Sequence, residues 1–164
     1  RLKIGAWRHT GSFETREKPG QPGELDGVYA LVEQLLWRES DLPESSPQGL
    51  GMFLRAGFSP GPRPRYNWVV DGGWNYHGLV PGRDNDTLGL GFVHARVNDS
   101  LRAPSGDVSP APRPDHETAV ELAYRFQVTP WWSLQPGLQY IAHPGASPAL
   151  DDAIVIGFRT SLTF

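Results

Sequence analysis

From Ala153 to Phe164 the chain reads AIVIGFRTSLTF, and it alternates without a break. Ile154, Ile156, Phe158, Thr160, Leu162 and Phe164 fall on one side, and Ala153, Val155, Gly157, Arg159, Ser161 and Thr163 on the other. Successive side chains of a strand point to opposite faces, so this is a strand with one greasy face and one small or polar face. Its length is about what a tilted strand needs to cross a bilayer. A chain with such segments either turns its greasy faces inward, as a soluble sheet does, or outward into lipid.

The rest of the sequence repeats the pattern. About eight strand-like segments, near 2–13, 27–38, 49–59, 66–78, 87–98, 116–129, 131–142 and 153–164, are separated by clusters of Gly, Pro, Asp, Asn or Ser. In the sixth, Thr118, Val120, Leu122, Tyr124, Phe126 and Val128 oppose Glu117, Ala119, Glu121, Ala123, Arg125 and Gln127. In the seventh, Trp132, Leu134, Pro136, Leu138 and Tyr140 oppose Ser133, Gln135, Gly137, Gln139 and Ile141. In the fourth, Tyr66, Trp68, Val70, Trp74 and Tyr76 oppose Asn67, Asp71, Asn75 and His77; in the third, Leu50, Met52, Leu54 and Phe58 oppose Gly51, Phe53, Arg55 and Gly57. Only Leu25 to Trp37 has a competing helical reading, with Val28, Leu31, Val32, Leu35 and Leu36 on one face; Gly27 ahead of Val28 and Tyr29 favours a strand. Two strands resist a clean assignment: Glu33 and Gln34 are adjacent, and His94 and Arg96 fall on the apolar side.

The second faces decide between the two arrangements. They carry Glu, Arg, Gln, Asn, Asp and Gly, too many polar groups to bury dry. A wet interior and a lipid-facing exterior remove the conflict. The sequence therefore predicts an all-β, transmembrane antiparallel barrel. A mean hydropathy of -0.41 is compatible with this, because a barrel with a wet interior needs only every second residue apolar. Six Trp, five Tyr and seven Phe suit girdles at two membrane interfaces; Trp131, Trp132, Trp68, Trp74, Tyr66, Tyr76 and Tyr140 are the candidates. A formal charge of -3 gives no reason to expect nucleic acid, and with no Cys there is neither a disulfide nor a Cys-based metal site.

The chain opens at Arg1 directly into a strand-like run, Leu2 to Trp7, with no charged-then-apolar leader, and so reads as the later part of something longer. Placing its end on the periplasmic side makes 142–152, 99–115, 60–65 and 14–26 external connections. The Thr129–Pro130 turn, 79–86 and 39–48 are then periplasmic. The 99–115 loop, with Pro104, Pro110, Pro112 and Pro114, reads as extended.

The terminal strand closing on Phe164 resembles the C-terminal signature of bacterial outer-membrane barrels. Two longer stretches narrow the likeness: Val70 to Val97 (VDGGWNYHGLVPGRDNDTLGLGFVHARV), and Pro130 to Phe164, with PWWSLQPGLQYIAHPG and DAIVIGFRTSLTF. Both resemble the carbohydrate-selective porins of Gram-negative bacteria, the OprB type, as do Gly27-Val28-Tyr29, Glu33-Gln34 and Leu50 to Pro60. The resemblance implies that residues 1–164 are the C-terminal part of a single outer-membrane barrel of about sixteen strands, the size that leaves a channel. It also implies passive diffusion of monosaccharides or small oligosaccharides, with no catalysis and no cofactor. The implied partners are the sugars, outer-membrane lipid and, through Phe164, the barrel-assembly machinery, in a homotrimer or a monomer. A general porin, or an adhesin or secretion barrel without sugar selectivity, is the alternative.

Sugars are uncharged, densely hydroxylated and have apolar ring faces. A wall that passes them needs planar hydrogen-bonding groups and aromatic platforms. By parity the pore-lining candidates are Arg55, Asp71, Asn75, Glu121, Arg125, Gln135, Gln139 and Arg159, accompanied by Asn67, His77, Glu117 and Gln127, with Phe53 as an inward aromatic. Arg125, Arg159, Glu121 and Arg55 are the candidates for a constriction, against the plainer reading that they line a wide vestibule. Glu121, Arg125 and Gln135 are expected close together, as are Arg159 and Gln139.

Other motifs are weaker. Asp84-Asn85-Asp86 lacks the loop Gly and distal Glu of a calcium site and reads as a turn. The five His show no metal spacing, and Gly89-Leu90-Gly91 has neither the third Gly nor the following helix of a phosphate loop. A membrane-facing hydrolase would need Ser133 and His143 together, and they are too far apart along one strand.

Overall fold

The computed structural model describes residues 1–14, 20, 22–39, 48–102 and 115–164. They form one eight-stranded sheet in sequence order: β1 (Leu2–Phe13), β2 (Gly23–Arg38), β3 (Gly49–Phe58), β4 (Tyr66–His77), β5 (Thr87–Val97), β6 (His116–Thr129), β7 (Trp132–Ala142) and β8 (Ala153–Leu162). Every neighbouring pair is antiparallel. One turn of helix, α1 (Asp99–Arg102), follows β5, and a 3-10 turn, Pro144–Ala146, precedes β8. The helical reading of Leu25 to Trp37 gives way to the sixteen-residue β2, which starts four residues earlier than expected. The extra length pairs Gly23, Leu25 and Asp26 with Phe13, His9 and Arg8. Pro104, Pro110, Pro112 and Pro114, and parts of the 14–26 and 39–48 connections, lie outside the described residues.

Register turns the alternation into two continuous surfaces. Met52, Trp74, Leu90, Leu122, Leu138 and Ile156 sit opposite one another in turn across β3 to β8. The next row is Leu54, Gly72, Phe92, Val120, Tyr140 and Ile154. This face is greasy and uncovered: Trp74 is 41% exposed, Leu122 48% and Ile156 84%. Among the described residues the buried apolar side chains are few: Val97, Ala146 and Pro64. A water-soluble sheet would cover such a band, because burial of apolar surface is what drives its folding. A face of this kind suits contact with lipid.

Strand pairing settles the two ambiguous strands. Glu33 pairs with Phe53 and so shares the polar face, whereas Gln34, opposite Met52, lies on the apolar face with its amide donating to the Leu35 carbonyl at 3.0 Å. A register shift between Leu35 and Trp37 then puts Trp37 opposite Leu50, where its ring meets Tyr76 at 5.8 Å. His94 and Arg96 do stand on the apolar side, opposite Val70 and Trp68, at the end of the sheet where the longer connections gather. There the His94 ring packs 5.2 Å from that of His116, and Nδ1 of His94 is 2.8 Å from the Thr118 hydroxyl. Phe58 and Trp68 pair at 4.7 Å near the same end. Trp131 and Trp132 stack at 6.4 Å at the opposite end, and the Trp132 indole donates to the Thr160 hydroxyl at 3.0 Å. Of the other girdle candidates, Trp74 lies three residues from the end of β4, next to Tyr76 on the same face.

The β4–β5 turn carries the tightest polar cluster of the short-turn end. Arg83 donates to both carboxylate oxygens of Asp86, at 2.8 and 2.9 Å. Asp86 also accepts from the Tyr124 hydroxyl and the Gln127 backbone N–H, each at 2.9 Å, and is only 2% exposed. The Asp84-Asn85-Asp86 run is thus a turn whose last carboxylate ties β5 to β6, and not a ligand set. Burial pushes the Asp86 carboxyl up, but Arg83, the Gln127 N–H and Tyr124 together outweigh it and hold the group below the ordinary carboxylate range. With the folded value below the unfolded one, the unfolded chain takes the proton first. The stability Asp86 contributes is therefore complete above the usual carboxylate range and lost as pH falls through its lowered value.

Two outcomes are expected in denaturant titrations of the barrel in lipid vesicles. Leu122→Arg, in mid-strand on the apolar face, costs about 2–4 kcal/mol, while Ala123→Arg beside it costs under about 1 kcal/mol; equal costs would refute the assignment of faces. Asp86→Asn, which leaves Arg83 without its carboxylate, costs about 1–3 kcal/mol at neutral pH. The gap to the parent closes as the pH is lowered below the carboxylate range; a gap that does not change with pH would show that Asp86 is not ionised in the fold.

Candidate functional site

The polar face is built from the partners of the greasy rows. Phe53, Gly73, Gly91, Glu121, Gln139 and Val155 are paired in sequence across β3 to β8, and Glu33 of β2 continues the row from Phe53. The adjacent row is Gly51, Asn75, Gly89, Ala123, Gly137 and Gly157. Small residues predominate in that second row, so the backbone forms the floor of a trough and longer side chains stand around it.

One hollow on this face, about 420 Å³, is bordered by Phe53, Asn75, His77, Glu121, Arg125 and Gln135 over Gly89, Gly91 and Ala123. A second, adjoining hollow shares Glu121 and Gln135 and adds Gln139 and Arg159 over Gly137 and Gly157. Six of the eight candidates from sequence therefore gather in two connected hollows: Asn75, Glu121, Arg125, Gln135, Gln139 and Arg159. The other two stand apart, as an ion pair in which Arg55 Nε donates to Asp71 Oδ1 at 2.8 Å. Arg55 is thus not gathered with the other proposed constriction residues.

Within the hollows the partners are specific. Gln139 Nε2 donates to Glu121 Oε2 at 2.7 Å. Arg125 Nη2 donates to Gln127 Oε1 at 2.9 Å. The pairs Ala123–Gly137 and Phe126–Leu134 place Arg125 opposite Gln135, and Gln135 in turn faces Arg159. The residue opposite Gln139 is Val155, so Arg159 and Gln139 share a hollow without being direct partners. His77 Nδ1 lies 3.2 Å from the Thr87 hydroxyl.

Sequence reasoning missed two features here. The glycine floor appears only when the strands are set in register, since each glycine alone looks like a turn or bulge signal. Trp7 and Tyr29 were not placed on the polar face, yet each lies opposite a glycine, Gly27 and Gly5 respectively, and a Cβ on either glycine would collide with that ring. Paired Trp–Gly and Tyr–Gly positions are the signal, and they are invisible without the register.

The mouth at the long-loop end is braced. Asn98 Nδ2 donates to the Gly61 carbonyl at 2.7 Å, Ser100 Oγ to that of Pro62 at 3.1 Å, and Arg65 to that of Gly145 at 3.3 Å. The Gly145 N–H donates to Glu117, which stands opposite Ala95 on the polar face. Asp152 accepts from the Tyr140 hydroxyl and from the His143 N–H, and these bonds hold its carboxyl below the usual range.

Chemically, the trough offers planar donors and acceptors and one aromatic face around open space. That set suits a hydroxylated solute held by several weak contacts. No group of three or more His, Cys, Asp or Glu side chains is arranged to hold a metal among the described residues. Ser133 and His143 stand at opposite ends of β7, ten residues of extended chain apart.

Comparison with known proteins agrees in both sequence and shape. The model of the OprB carbohydrate-selective porin family matches residues 2–164. Porin B of Pseudomonas aeruginosa is 32% identical over 101 residues, covering 54% of this chain and 22% of the relative. A putative porin, QuiX, of Acinetobacter baylyi is 30% identical over 103 residues, covering 54% of this chain and 24% of the relative. A high-pH structure of Pseudomonas putida OprB superposes with a TM-score of 0.83 at 21% identity, over 99% of this chain and 44% of that one. A low-pH structure of the same protein gives 0.62, over 99% and 47%. The chain thus spans under half the length of these relatives. With its greasy outer face, its wet inner face and a family model matched along nearly its whole length, the chain belongs to the OprB family of carbohydrate-selective porins, outer-membrane barrels of Gram-negative bacteria.

Proposed function

We propose that this chain is one arc of a larger outer-membrane barrel, residues 1–164 forming its C-terminal part, and that the trough is a stretch of the wall of a passive, carbohydrate-selective channel. The single observation that carries the reading is the pairing of a continuous exposed apolar face with a face of spaced Asn, Gln, Glu and Arg over glycine. The sheet ends at β1 and β8 with one partner each. Lipid does not tolerate such edges, so strands from outside this sheet complete the wall. A barrel of eight strands would be filled by its own side chains, whereas about sixteen leave a channel. The longer connections, at the end holding Asn98 and Gly145, face the cell exterior, and the short turns holding Asp86 and Pro130 face the periplasm.

In this channel Phe53 offers a platform to the apolar face of a sugar ring, while Glu121, Gln135 and Asn75 exchange hydrogen bonds with its hydroxyls. Arg55 and Asp71 neutralise each other further along the wall and add polar surface without net charge. Binding has to stay weak and spread over several contacts, since tight binding stops transport. The family argues for a channel and not an enzyme, with sugars as its solutes and lipid around it. Contact with the assembly machinery through Phe164, and a monomeric or trimeric state, belong to the same proposal.

Vesicles carrying the complete porin should admit glucose rapidly, a disaccharide more slowly, and a size-matched charged solute lacking hydroxyls more slowly than glucose. Equal rates for all three would make the protein a general porin, and no entry would favour the adhesin or secretion reading. Phe53→Ala combined with Glu121→Ala should raise the sugar concentration that half-saturates conductance block by about tenfold, two lost contacts at about 0.7 kcal/mol each. Potassium chloride conductance should change by less than about twofold, so an unaltered sugar block in the double variant would remove these residues from the site.

A further inference from the structure

We infer that the two adjoining hollows, one holding Arg125 and the other Arg159, give this pore a preference for sugars bearing one carboxylate, hydroxylated monoanions of hexose size, over neutral and cationic sugars; this rests on the porin reading above. The starting observation is an imbalance of charge on the polar face. Its carboxylates are largely spoken for. Asp71 is held by Arg55, Glu33 lies 3.6 Å from the Arg1 guanidinium, and Glu117 takes the Gly145 N–H. Glu121 is bound by the Gln139 amide. Arg125 and Arg159 have no carboxylate partner among the described residues. Arg125 donates to the neutral amide of Gln127, and the residue facing Arg159 is Gln135.

Gln135 stands between the two arginines on β7, with Arg125 on β6 and Arg159 on β8. Two strand spacings put their backbones about 10 Å apart. That span is close to the length of a linear hexose acid, so either guanidinium can take the carboxylate while Gln135 and Glu121 meet the hydroxyls. Against these two cations the connected hollows present one carboxylate, Glu121, leaving the site net positive. Unneutralised guanidinium in a narrow, low-dielectric wall raises the local concentration of anions, and cationic rings are how pores select for them. A planar guanidinium also suits a carboxylate geometrically, through two parallel hydrogen bonds. The glycines under the site, Gly89, Gly137 and Gly157, keep these side chains from being crowded out by neighbours.

The test compares three six-carbon solutes of similar size in vesicles bearing the complete porin: neutral glucose, anionic gluconate and cationic glucosamine. The parent should pass gluconate at least about tenfold faster than glucosamine. Arg125→Gln with Arg159→Gln, which removes both charges but leaves a planar hydrogen-bonding group at each position, should abolish that ratio, slowing gluconate more than glucose. Equal gluconate and glucosamine rates in the parent, or a double variant that slows all three alike, overturns the inference. If glucose itself fails to enter through the parent, the porin reading fails first. Heat-modifiable migration of the double variant on gels confirms that the barrel is intact, and Arg55→Gln, at the neutralised pair, should leave the gluconate-to-glucosamine ratio where the parent has it.

Discussion

Everything in this structure depends on one constraint: a strand that faces lipid has to pair its backbone N–H and C=O groups sideways, with another strand, because hydrocarbon offers no other partner. The eight strands meet it in the simplest order, each bonded to the next in sequence. Once that ladder exists, the two-residue period of the side chains does the rest. Every residue is assigned to lipid or to water, and a row such as Trp74, Leu90, Leu122 and Leu138 on one side dictates a row such as Gly73, Gly91, Glu121 and Gln139 on the other. The usual ledger of core packing has little place here, since the apolar surface is satisfied from outside the protein.

The same constraint explains where polar interactions concentrate. At the strand ends, loops and turns need their own partners, and they find them in one another. Asn98 and Ser100 hold the 61–62 segment, and Asp86 joins Arg83, Tyr124 and Gln127. Away from the ends, polar side chains stand over glycine and border open space, with Arg125 and Arg159 lacking a carboxylate partner among the described residues. Braced ends and an open middle suit the passive channel proposed above, whose opening has to keep its width while the contacts along it stay weak.

The strands were legible because alternation is a property of each segment alone. The structure left most limits in place and moved five by one or two residues; the largest change, the start of β2 at Gly23, reflects pairing with β1 that Gly23 and Leu25 do not announce locally. The polar faces of β3, β4, β6, β7 and β8 were legible for the same reason. Strand β2 was harder, because the shift between Leu35 and Trp37 changes which parity faces lipid, and nothing in that stretch of sequence marks it. At the site, sequence supplied the residue types on each face but grouped Arg55 with Glu121 and Arg125, which the register separates.

The sequence by itself determined the number of strands, their direction of travel and which side of β3, β4, β6, β7 and β8 is apolar, because a strand's alternation needs no knowledge of its neighbours. Only the tertiary structure decided which side chains meet. Arg55 with Asp71, Gln139 with Glu121, and Gln135 between Arg125 and Arg159 are all products of register, which turn lengths and local irregularities set jointly across the sheet. A slip of one residue would keep every strand and turn each affected face inside out, and a slip of two would restore the faces but separate these partners.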